Sequence, residues 1–99
     1  MKETWLRCWI SPGQFSVEYA VEGEMFNGTG FSLFASEEDV EFDTPPFEGQ
    51  RVPGWIRVQI LDSKPGLVLV CLPQQTLENG HTLTVRADQV EQRPARQEA

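Results

Sequence analysis

Proline and glycine recur along the whole chain, seven and eight of them in 99 residues, and that punctuation leaves no room for a long helix. Between the breaks the residues alternate. Trp5, Arg7 and Trp9 alternate with Leu6, Cys8 and Ile10, and Trp55, Arg57, Gln59 and Leu61 alternate with Ile56, Val58 and Ile60. A period of two marks a strand, whose successive side chains point to opposite faces. The composition agrees: it is rich in Val, Phe, Trp, Thr and Leu, which suit a pleated, half-buried surface.

Taken in order, strands are expected at Thr4–Ile10, Phe15–Gly23, Gly30–Ala35, Trp55–Asp62, Leu67–Leu72 and His81–Arg86. Ser11-Pro12-Gly13-Gln14 has the Pro-Gly centre of a type II turn, and Asn27-Gly28 is a hairpin dipeptide. Ser36-Glu37-Glu38-Asp39 has a Ser cap and an acidic first turn, so at most one short helical turn is expected near 36–40. Ala87–Val90 reads as a tight turn that tucks Val90 inward. Thr44–Gly54 holds three prolines together with Phe47 and Val52, and is expected to be the one long loop, packed on the domain. Leu67–Leu72 is apolar throughout, the pattern of a central strand covered on both faces. Glu91–Ala99 is polar and without period. It reads as a disordered tail behind a single domain spanning 1–90.

These elements define an all-β fold. A chain of this length is expected to form a small, strongly bent sheet or a closed barrel of five to six mostly antiparallel strands, because closure removes exposed edges. Among small barrels the SH3-like kind is favoured, with an OB-like five-stranded barrel as the alternative.

Fifteen acidic residues against eight basic ones give a net charge of −7. Such a surface repels the phosphate backbone, whose attraction supplies most non-specific nucleic-acid affinity. It is equally unsuited to anionic membranes. Neither nucleic acid nor membrane is therefore expected as a partner, whereas a basic protein would be attracted. The N-terminus lacks the layout of a secretory signal, and Cys8 and Cys71 lie in apolar strand patterns. They are expected to be reduced thiols in a cytoplasmic protein.

Chemistry is thinly served. His81 is the only imidazole and sits beside a turn, while both thiols read as core, so no nucleophile–base pair forms within one chain. The acids Glu37, Glu38, Asp39, Glu41 and Asp43 lack the spacing of a dedicated cation loop, and no phosphate-cradling glycine motif occurs. No catalytic residue, metal or cofactor is expected, and an enzyme would need a site shared across a dimer. The surplus of aromatics is the informative feature. Trp and Tyr bury much area at little rotamer cost, and Trp with Arg is the composition of binding hot spots. The candidate interaction residues are Trp5, Arg7, Trp9, Phe47, Trp55 and Arg57, with Phe47 and Trp55 as anchors. They point to a non-enzymatic β domain that binds a protein or associates with itself as a homodimer, the same residues packing within one chain being the alternative. The rival function is a small-molecule-binding barrel, with Tyr19, Phe34 and Trp55 lining the pocket.

Overall fold

Strand β1 (Lys2–Pro12) organises the molecule, because three other strands pair with it. The others are β2 (Glu18–Glu24), β3 (Gly30–Ser36), β4 (Val40–Phe42), β5 (Val52–Lys64), β6 (Leu67–Cys71), β7 (Thr82–Arg86) and β8 (Val90–Pro94). The structure is a computed structural model that describes residues 2–78 and 80–94. Six antiparallel strands in the order β3-β2-β1-β5-β6-β7 form a curled half-barrel, with β4 added beside β5 and β8 beside β1. Two single 3-10 turns, Glu37–Asp39 and Ala87–Gln89, lead into β4 and β8. The strongly bent sheet is thus what forms, and the expected helical turn near 36–40 is the first of these.

The core lies inside the curl. Leu6 and Ile10 of β1 stand opposite Ile56 and Val52 of β5, and they are buried with Val21, Leu33, Val40, Val70 and Val85. This is the apolar set that the alternation marked. Gly54 makes the crowding possible. A Cβ there would lie 2.5 Å from the Glu41 carbonyl oxygen of β4 and 2.6 Å from the Ile10 side chain.

The two end strands, β3 and β7, do not share a ladder. Loops close the seam instead. Phe26 N–H donates to the Thr84 carbonyl at 3.0 Å, and Leu77 N–H donates to the Ser32 carbonyl at 2.8 Å. The buried Gln89 side chain also spans it: Nε2 donates to the Glu24 carbonyl at 2.8 Å, and Oε1 accepts the Arg86 N–H at 2.7 Å. Gln89→Ala removes both of these part-buried hydrogen bonds, which costs about 1–2 kcal/mol. Urea unfolding of the variant should show that loss as a lower midpoint with an unchanged slope.

Three expectations are corrected. Residues 91–94 are not a tail: β8 pairs with β1 from Lys2↔Pro94 to Leu6↔Val90. A polar strand on a sheet's margin shows no apolar period, which is why it read as a tail; residues 95–99 lie outside the described residues. The first hairpin is shifted. β1 runs on to Pro12, the connection is closed by Gly13 N–H to the Glu18 carbonyl at 3.0 Å, and Phe15 and Val17 sit exposed in it. Finally, β6 is covered on one face only: Val68 and Val70 are buried, while Leu67, Leu69 and Cys71 are half-buried.

Candidate functional site

The β1–β5 ladder places Trp5 opposite Arg57, Arg7 opposite Trp55 and Trp9 opposite Pro53. Five of the six candidate residues therefore share one surface, the outer face of the sheet. Phe47 lies apart, exposed in the loop before β5. The five are in very different environments.

Trp5 is only 1% exposed, although it points away from the main core. Strand β8 explains this. With β8 beside β1, Trp5 sits mid-sheet between Arg57 on one side and Glu91 on the other. Its indole N–H has no hydrogen-bond partner among the described residues. Arg57 is held by Asp39 at 2.5 Å and by Glu3 at 3.1 Å. The Asp39 hydrogen bond, seconded by Glu3, raises the guanidinium above its ordinary range against the opposing effect of burial. This ion pair ties the first 3-10 turn to the sheet. Arg7 donates from Nη2 to the Asp88 carbonyl at 2.6 Å. Trp55 is half-buried, and the Arg93 guanidinium lies 4.2 Å from its ring centre. Arg93 is itself paired to Glu41 and Glu91, at 3.1 and 3.2 Å. These four residues are therefore engaged within the chain.

Trp9 differs. It is 42% exposed, and the Arg51 guanidinium lies 4.6 Å from its ring centre. Arg51 also forms a loose, exposed ion pair with Glu22 at 3.9 Å, and such pairs contribute little to stability. Around them opens a shallow groove of about 420 Å³, bounded by Trp9, Arg51, the carboxylates Glu22, Glu24 and Glu78, and the small residues Gly28, Gly30 and Ser32. The chain's own arginine shows what this surface can accept: a flat cation stacked on an indole and flanked by acid.

Glu78 anchors the far wall. Its carboxylate accepts the Ser32 N–H at 2.8 Å and the Ser32 hydroxyl at 3.0 Å. The bond from the Ser32 N–H is the main cause holding this carboxyl below its usual value. A group whose folded value is depressed stabilises the fold above its unfolded value, about 4.3 for Glu, and loses that contribution as pH falls through the folded value. Docking of the 73–78 loop on β3 should therefore loosen below about pH 4. An NMR titration should show the Ser32 amide shifting with Glu78, and Glu78→Gln should abolish that titration.

Elsewhere, burial pushes the Cys8 thiol far up, which leaves it neutral at ordinary pH. Cys8 and Cys71 are free thiols, and His81 is exposed. Tyr19 packs edge-on to Phe42 at 5.3 Å, whereas Phe34 lies on the outer face of β3 and Trp55 under Arg93. The three residues of the rival pocket thus occupy separate settings. No group of three metal-ligating side chains occurs among the described residues.

Alternation brought Trp5, Arg7, Trp9, Trp55 and Arg57 to one face but missed their real partners, Arg51 and Arg93. A strand signal for Arg51 was available: it lies two positions before Pro53, hence on the side of Trp9. Arg93 had none, sitting in a polar stretch. No family model matches this chain, and no curated protein or solved structure matches it. No helix among the described residues is long and apolar enough to cross a membrane.

Proposed function

We propose that this chain is a non-enzymatic protein-binding β module whose contact surface is the Trp9–Arg51 groove, and that its partner presents a basic segment. The observation that carries this reading is Trp9: a large aromatic left exposed on a face where the other tryptophans are buried or half-buried, beside an exposed cation–π contact with Arg51 and three carboxylates. An incoming Arg or Lys would replace Arg51 on the indole and meet Glu22, Glu24 and Glu78. The net charge of −7 steers such a partner in and repels nucleic acid. Phe47, exposed in the loop before β5, lies apart from the groove and has no part in this reading. Trp5, Arg7, Trp55 and Arg57 serve the fold of the face rather than contact. The free thiols suit a cytoplasmic setting.

The test is fluorescence titration of the chain with Arg- and Lys-rich peptides and their acidic counterparts, across a salt series. Basic peptides should bind, more weakly as salt rises, and Trp9→Ala should lose the binding at little cost in stability. Equal binding of acidic peptides, or an unaffected Trp9→Ala, would overturn the reading.

A further inference from the structure

Strand β5 is 13 residues long and outruns its neighbour. Pairing with β1 ends at Thr4↔Val58, after which β5 continues with β6 alone, from Gln59↔Cys71 to Lys64↔Leu67. Residues 59–71, with β7 paired beyond β6, thus form a three-stranded arm, and among the described residues its β5 edge past Val58 has no ladder partner. Ile60 and Leu61 are consecutive and 44% and 53% exposed, so both faces of the arm carry uncovered apolar surface. The ladder slips between Ile60 and Asp62, leaving Leu61 as an extra residue. Asp62 then stands opposite Leu69 and Lys64 opposite Leu67, all on the outer face with half-buried β6 side chains.

Charge selects the occupant. The chain is strongly acidic, and two copies repel wherever residues 18–48 would meet. From Gln59 to Leu77, however, Asp62 and Lys64 are the only charged residues, and they cancel. Among the described residues every arginine is engaged, whereas Lys64 has no partner there. Asp62 and Lys64 straddle Ser63. Antiparallel pairing of two such edges about Ser63 sets each Asp62 against the other copy's Lys64, and opposite charges directly across a ladder are favourable. A two-fold axis perpendicular to the sheet keeps both outer faces on one side, so Leu61, Leu67 and Leu69 of both copies would make one continuous apolar surface.

We propose that this chain pairs with a second copy of itself along the free β5 edge of the arm, antiparallel about Ser63, with Asp62 of each copy facing Lys64 of the other. The contact is small compared with the ~1,200–2,000 Å² of a stable complex, so the dimer is a weak one that dissociates on dilution. It lies at the opposite end of β5 from Pro53 and Trp9, and so leaves the groove open.

Sedimentation of the full chain from micromolar to near-millimolar concentration tests this, with far-UV circular dichroism confirming that each variant is folded. The wild-type mass should rise from one chain towards two. Asp62→Lys puts like charges across both pairs and should weaken the dimer at least tenfold, and the double swap Asp62→Lys with Lys64→Asp should restore it. A monomer at every concentration overturns the proposal: the bulge and the two charges would then be protecting the edge instead. A dimer indifferent to Asp62→Lys, or one lost but not rescued by the swap, overturns it as well.

Discussion

Trp5→Ala should remove about 3–5 kcal/mol of stability, out of the ~5–15 kcal/mol that a small domain holds in total. Trp5 is 1% exposed at the centre of β5-β1-β8, so truncation opens a cavity in the middle of three paired strands. Its indole N–H is buried without a partner among the described residues, and that sharpens the prediction. Trp5→Phe keeps most of the apolar volume and deletes an unsatisfied donor, so it should cost less than half as much. Urea unfolding of both variants decides it. A Trp5→Ala protein within about 1 kcal/mol of wild type would mean that β8 does not enclose this residue in solution.

Gly54→Ala should cost about 3 kcal/mol, the upper part of the range for overpacking. The added methyl would meet the Glu41 carbonyl oxygen at 2.5 Å and Ile10 at 2.6 Å. The first is backbone and the second is core, so neither can swing away. β4 must move off β5, and the Val40↔Ile56 and Phe42↔Gly54 pairs go with it. The marker is local: in NMR spectra, amides of residues 40–42 should shift and lose protection before those of β6 and β7. A variant as stable as wild type, with an unshifted β4, would show that the strands are not this close.

The parts of the molecule legible in the sequence are those where one face is apolar and the other is not. Leu6, Ile10, Ile56 and Val58 declared their strands and their inward face, and Asn27-Gly28 declared its hairpin: Gly28 adopts a φ of 85°. Where both faces carry aromatic or apolar residues, the period says nothing about which face is wet. Trp5 and Trp9 are four residues apart and so share one face, yet one is buried and the other is not, because β8 flanks the first and β2 the second. That difference lies in strand order, a long-range property. The candidate site was legible to the same degree. Its face was found, but Arg51, Arg93 and Glu41 are brought to it by β4, β8 and a loop boundary.

The pairing of β1 with β8 has a kinetic consequence. Strand β1 is completed only by β8, the last of the described strands to be made, so the chain emerging from the ribosome can form the β1–β2 hairpin early but must leave Trp5 open to solvent until residues 90–94 arrive. Contacts this distant in sequence carry a high loop-closure cost and slow the folding of small β proteins to the millisecond-to-second range. During that interval a bare tryptophan on an unpaired strand edge is the feature a holding chaperone would meet first, and a chain ending before Val90 would never hide it.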